Sequence, residues 1–96
     1  MSWRSKKLLA SAEGRSCIRC GSVGTTVACH ANSVALGKGT GIKADDCSVA
    51  ELCFSCHNTY DGRTGTLSKD EKELLWLRAH ARTVQRWFRE GVVIVA

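Results

Sequence analysis

The sequence contains no proline, a single methionine and only six aromatic residues in 96 positions. So few large apolar side chains allow only a thin core, and a chain of this length reads as one small domain, 1–96, of the kind that needs a staple to stay folded. Long apolar runs are missing as well. No stretch approaches the roughly 18 consecutive apolar residues of a membrane span, so no membrane partner is expected. The N-terminal run places only two leucines and small residues behind Lys6 and Lys7 before Glu13 and Arg15, which is not a signal-peptide core. A cytoplasmic protein is the expectation. Acidic residues are in deficit, 9 against 14 lysines and arginines for a formal net charge of +5, and a small basic domain suits a polyanionic partner.

What the chain does have is cysteine, six in all, four of them in two C-x2-C pairs, Cys17/Cys20 and Cys53/Cys56, with 32 residues between the pairs. Four thiolates at this spacing can converge tetrahedrally, the arrangement that a structural Zn²⁺ prefers. A disulfide framework belongs to secreted proteins and is not expected here. Cys29 and Cys47 stand alone and read as small buried apolar residues. Cys53-Phe-Ser-Cys56-His57 also spells the haem-attachment pattern C-x2-C-H. That reading leaves Cys17 and Cys20 without a role, and the chain's one methionine, Met1, removes the usual axial ligand.

Along the chain, Lys6 to Gly14 reads as a short helix with Gly14 as its stop. Thr25–His30 is rich in β-branched residues and reads as a strand ending at His30. The segment 34–46, with Gly37, Gly39 and Gly41 spaced through it, reads as an exposed loop; it lacks the hydroxyl residue and the preceding strand of a nucleotide-binding loop. Ser48–Leu52 reads as a half-turn or short helix leading into the second cysteine pair. Ser68-x-x-Glu71 is a capping box that opens the clearest helix, 68–90, with Gly91 behind it. Leu74, Leu77, Ala81, Val84 and Phe88 recur at i, i+3, i+7, i+10 and i+14, predicting the core stripe, with Trp76, His80 and Trp87 widening it and Arg78, Arg82, Arg86 and Arg89 on the other flank. Val92–Ala96 is an apolar tail, read as a closing strand or a subunit contact.

The remaining question is the role of His30 and His57, which accompany cysteines. Cys-x2-Cys, a short strand ending in His30, then Leu52-Cys-x2-Cys-His57 resembles the HNH nuclease superfamily. More narrowly, the stretches Lys6–Cys17, Thr26–His30, Gly39–Asp46 and Cys53–Arg63 resemble the YbcO-type nuclease family of lambdoid prophages. The resemblance implies an α+β fold: a zinc-stapled HNH-like ββα-metal core of treble-clef type over 17–63, flanked by a basic N-terminal helix within 1–16 and the long C-terminal helix.

It also implies a metal-dependent endonuclease that hydrolyses DNA phosphodiester bonds, with His30 as general base on a water and His57 as a ligand of Mg²⁺ or another divalent ion, beside the structural Zn²⁺ on Cys17, Cys20, Cys53 and Cys56. Such hydrolysis needs an activated nucleophile and a cation to offset charge on the phosphorane and the leaving oxygen. HNH sites place Asp or His immediately before the base, where this chain has Cys29, and the middle Asn of the superfamily's name falls near Cys47 or Ser48. Cys29, Asp45, Asp46 and Asn58 are therefore candidates to complete the catalytic metal site, and Lys43 is the candidate for phosphate contact. DNA, branched or otherwise structure-specific, would be held through its phosphates by Lys6, Lys7, Arg15, Arg19, Arg63, Arg78, Arg82 and Arg86. Two rival readings are a non-catalytic zinc module that binds DNA or a phage protein, and a structural subunit that forms a homo-oligomer through the Trp76/Trp87 helix.

Overall fold

The computed structural model describes residues 3–32 and 44–96 and places five elements in the order α1 (Lys6–Ala10), β1 (Val27–His30), β2 (Val49–Leu52), α2 (Phe54–Asp61) and α3 (Lys69–Arg89). The result is a small α+β unit with one two-stranded antiparallel sheet and three helices. Among the described residues no helix is long and apolar enough to cross a membrane.

Helix α1 is capped by Ser5, whose hydroxyl accepts from the Leu8 N–H at 3.1 Å. It is shorter than the expected Lys6–Gly14. From Ala12 onward the backbone bonds reach only three residues back, Ala12 N to Leu9 O at 3.2 Å and Glu13 N to Ala10 O at 3.1 Å, so the chain tightens into turns. Gly14, at φ 82°, then reverses it towards the first cysteine pair.

The sheet pairs Val27 with Leu52, Ala28 with Glu51, Cys29 with Ala50 and His30 with Val49. The segment expected as a half-turn or short helix is therefore strand β2. All four of its residues are buried, so Val-Ala-Glu-Leu shows no alternation of apolar and polar residues that would mark it as a strand, and tertiary pairing overrides its weak propensity. Opposed residues share a face of the sheet. Cys29, Ala50 and Leu52 join the core cluster with Tyr60, Leu75, Trp76 and Ala79, whereas His30 and Val49 belong to the opposite face.

Helix α3 carries the expected capping box, with Ser68 Oγ accepting from Glu71 N and Glu71 Oε1 accepting from Ser68 N. Its buried face keeps Trp76 and Trp87 of the expected stripe but turns away from the aliphatic residues that led it. Leu75, Trp76, Ala79, Thr83 and Trp87 point inward, while Leu74, Leu77 and Phe88 are 48%, 42% and 51% exposed. Polar contacts to the hairpin explain the rotation: Trp76 Nε1 donates to Cys29 O at 3.0 Å, Thr83 Oγ1 accepts from Glu51 N at 3.0 Å, and His80 Nδ1 lies 2.7 Å from Val49 O. A face that satisfies strand backbone groups and buries two indoles outweighs a purely aliphatic stripe. The tail 92–96 forms no strand; Val92 and Val93 each donate their N–H to Trp87 O.

Candidate metal centre and two histidine–carboxylate pairs

The first cysteine pair sits in a tight knuckle, with Gly21 N donating to Cys17 O at 2.9 Å and Cys17 N to Ser22 O at 2.7 Å. Ile18 N donates to Glu51 O at 2.9 Å, which fastens this knuckle to β2. The second pair lies where β2 becomes α2, Cys53 being the residue that caps the helix. The two pairs converge, with the sulfurs of Cys17, Cys20, Cys53 and Cys56 all within 4.8 Å of one another and Cys20 Sγ 3.6 Å from Cys53 Sγ. Around a tetrahedral zinc with Zn–S near 2.3 Å, neighbouring sulfurs lie about 3.8 Å apart, so the four thiols fit a metal ion such as Zn²⁺.

Hydrogen bonds from Ser22 bring the exposed Cys20 thiol down to about 6, whereas burial pushes Cys56 up to about 12 against the Arg19 guanidinium, which donates to its sulfur at 3.4 Å. A cation supplies what the buried thiols lack, since metal ligation removes their protons outright. Bound there, the ion would act as a structural cross-link between residues 17–20 and 53–56.

The sheet end away from these cysteines carries His30. Its Nε2 is 2.8 Å from Asp46 Oδ1, and Asp46 is in turn held by Ser5 N at 2.7 Å and Arg4 Nη1 at 3.0 Å. Burial alone would raise the Asp46 carboxyl, but hydrogen bonds from His30, Ser5 and Arg4 outweigh it and bring the group down to about 2. Asp45 is also engaged, accepting from Trp3 N at 2.8 Å. The chain's first described residues thus form a strap across Asp45 and Asp46. These two carboxylates hold the strap and His30, an arrangement different from the metal ligation expected of them.

His57 projects from α2 beside Asp61, one turn on, with Nε2 3.2 Å from Oδ2. The Asn32 side-chain amide donates to Asp61 Oδ1 at 3.4 Å, and Asn32 N donates to the Tyr60 hydroxyl at 2.9 Å, so the end of α2 is tied to the chain just beyond β1. His57 is half-buried and Asp61 exposed. Between His30 and His57 there is no hydrogen bond or ring contact; each has its own carboxylate.

Cys29 corrects the expectation that it completes a metal site. It is 1% exposed and packs in the core cluster, and among the described residues it belongs to no group of three or more His, Cys, Asp or Glu ligands; burial, with a smaller push from the Asp61 charge, raises its thiol to about 12. Among the described residues, the four paired cysteines are the one cluster of three or more His, Cys, Asp or Glu ligands. Lys43 lies outside the described residues.

The basic residues divide. Lys6, Lys7, Arg19, Arg63, Arg78 and Arg82 are exposed. Arg86 is not available to a polyanion as expected: it turns inward, Nη1 donating to Glu51 Oε1 at 3.1 Å and to Ser16 O at 2.9 Å, with its side chain 13% exposed. Arg15 is half-buried and pairs with Glu51 and Glu90. Glu51, at 0% exposure, is a residue that sequence reasoning missed, and no local pattern marks it because Arg86 lies 35 positions away. Asp61 was legible in principle, since its i+4 spacing from His57 places both on one helix face.

A family model described as "Putative nuclease YbcO" matches residues 6–92. Among solved structures, the chain is similar to one described as "Structure of a putative bacteriophage protein from Escherichia coli str. K-12 substr. MG1655", with 27% identity and a TM-score of 0.67, over 86% of this chain and 98% of that one. No curated protein matches.

Proposed function

This chain belongs to the YbcO family, and from that premise we propose that it is an HNH-type endonuclease, built on a treble-clef zinc core, that hydrolyses DNA phosphodiester bonds with His30 as general base. The observation that carries the reading is the His30–Asp46 pair at 2.8 Å. The succession of β1, β2 and α2 beside four clustered cysteines supports the HNH assignment.

In this reading the ionised Asp46 accepts a hydrogen bond from His30 Nε2–H, and the tautomer so fixed carries its lone pair on Nδ1. A histidine oriented by a carboxylate through one ring nitrogen takes a proton through the other, and the carboxylate stabilises the imidazolium that forms. Ser5 and Arg4 keep Asp46 charged and fixed. His57 and Asp61, with the Asn32 amide beside them, offer the nitrogen and oxygen donors to hold a divalent ion. When bound, that ion supplies charge stabilisation for the pentacovalent phosphate and the leaving oxygen. Lys6 and Lys7 stand on α1, which packs beside β1, and Arg63 follows the end of α2. These exposed cations, on the elements next to each histidine pair, support phosphate binding there.

The test is incubation of the zinc-loaded protein with supercoiled plasmid and with branched DNA in Mg²⁺, Mn²⁺ or Zn²⁺, beside His30→Ala. Nicking or linearisation by the wild type alone is the expected result. The second reading, a zinc module that binds DNA without cutting it, is favoured by one observation: the position before His30 holds Cys29, packed in the core cluster, where a metal ligand would stand. Retarded mobility of DNA with no cleavage under any of the three metals would select it.

A further inference from the structure

The knuckle that carries Ile18 and Arg19 packs over α3 and leaves a groove between the two elements. It consists of two adjoining concavities, about 380 and 350 Å³ in volume, that share Ile18 and Arg82. None of the residues lining it belongs to either histidine–carboxylate pair. Its floor is aliphatic, made by Ile18, Leu67, Leu74 and Leu75, and Leu74 is 48% exposed although it is a leucine on a well-formed helix.

The rim is cationic: Arg19, Arg78 and Arg82 border the first concavity and Arg89 the second. Among the described residues, Arg78, Arg82 and Arg89 make no ion pair. The two acids on the rim are already engaged, Glu71 by the backbone N–H of Ser68 in the capping box and Glu90 by Arg15. The groove therefore presents unneutralised guanidinium groups over an aliphatic floor.

We propose that this groove is a docking site for an acidic segment of a partner protein, one that seats an aliphatic side chain on Ile18, Leu67, Leu74 and Leu75 while its flanking carboxylates meet Arg19, Arg78 and Arg82. Charge complementarity commits the occupant to an anion. The floor chooses between anions: a sugar–phosphate backbone has no use for four aliphatic side chains, and the aromatic rings on which bases stack are absent from the described lining. Guanidinium groups match carboxylates in bidentate geometry. Arg78 and Arg82 are one helical turn apart, about 6 Å along the axis, close enough for two carboxylates of one short segment to engage both. The site is independent of the nuclease reading and stands or falls without it.

The experiment uses the full zinc-loaded chain and follows the fluorescence anisotropy of a labelled ten-residue peptide of alternating aspartate and leucine. The same peptide with asparagine for aspartate and a ten-nucleotide single strand serve as comparison probes. Saturable binding of the acidic peptide is expected, weakened at least about tenfold in the R78E/R82E variant, as for lost interfacial charge pairs. Leu74→Ser is expected to weaken the peptide by roughly fivefold, the scale of one lost aliphatic contact, and to leave the oligonucleotide within twofold. Both variants change exposed side chains, and an unchanged zinc content and far-ultraviolet spectrum separate loss of the groove from loss of the fold. The proposal is overturned by any of four results. These are no saturation by the acidic peptide up to about 1 mM, the weakest specific range; equal binding of the asparagine peptide; a Leu74→Ser variant that binds the peptide like wild type; and displacement of the peptide by the oligonucleotide with its own binding lost in R78E/R82E. The last would assign the groove to nucleic acid.

Discussion

His30 Nε2 and Asp46 Oδ1 lie 2.8 Å apart, a contact between the last residue of β1 and a loop carboxylate that the N-terminal strap of Trp3, Arg4 and Ser5 holds in place. The carboxylate is buried and ionised, and the imidazole is half-buried. Such a pair fixes one ring nitrogen and frees the other.

Asp46→Asn removes the charge and retains the size. It is expected to lower DNA cleavage on the order of 10²–10⁴-fold, the range set by loss of an oriented acid–base group, with bound zinc unchanged. Single-turnover rates beside metal analysis check it. A rate within threefold of wild type removes Asp46 from the mechanism.

The same carboxylate makes stability depend on pH. Its folded value, about 2, lies below the ordinary 3.8, so the stabilisation it gives is present in full above about pH 4 and is lost as pH falls towards 2. Urea midpoints of zinc-loaded wild type and Asp46→Asn should differ at pH 6, and the difference should narrow as pH falls below about 4 through the range in which zinc stays bound. A difference that stays constant over that range means that Asp46 is not held as described.

Removing the metal should remove the fold. Chelation, or Cys17→Ser or Cys56→Ser, is expected to abolish the cooperative unfolding transition together with one zinc per chain, because structural zinc contributes on the order of 10–16 kcal/mol in small zinc domains. A chain that stays folded and zinc-loaded with both cysteines replaced contradicts the four-sulfur site.

Glu51 and Arg86 join β2 to α3 in a buried ion pair at 3.1 Å, with Arg15 Nε 3.7 Å from the second carboxylate oxygen. Burial raises the Glu51 carboxyl despite both guanidinium groups, so the charged form depends on them. Arg86→Ala strands that charge and should cost about 3–5 kcal/mol by denaturant unfolding. Adding Glu51→Leu to Arg86→Ala should recover part of that loss, since the unpaired charge is gone.

Features that are local in the sequence were legible in it. The C-x2-C pairs, the strand ending at His30 and the Ser68–Glu71 capping box each occupy a few adjacent residues, and all appear where their spacing put them. What hid were relationships that only the folded chain creates. The inward face of α3 is chosen by bonds from Trp76, His80 and Thr83 to the hairpin backbone, which aliphatic periodicity does not register. Strand β2 is covered on both faces and so carries no alternation. The HNH resemblance offers Asp46 as a metal ligand, but its partner His30 stands 16 positions away, and the strap that fixes it comes from more than 40 positions away.

The most direct test of the central claim is the single-turnover cleavage rate of supercoiled plasmid by wild type, His30→Ala and His57→Ala, with Mg²⁺ or Mn²⁺ titrated in at fixed zinc content. The account predicts cleavage by wild type that saturates with the added ion, a loss on the order of 10²-fold or more in His30→Ala at every ion concentration, and a His57→Ala variant that needs far more of the ion to cut. Equal cleavage by wild type and His30→Ala, or no cleavage by wild type under either ion, would contradict it.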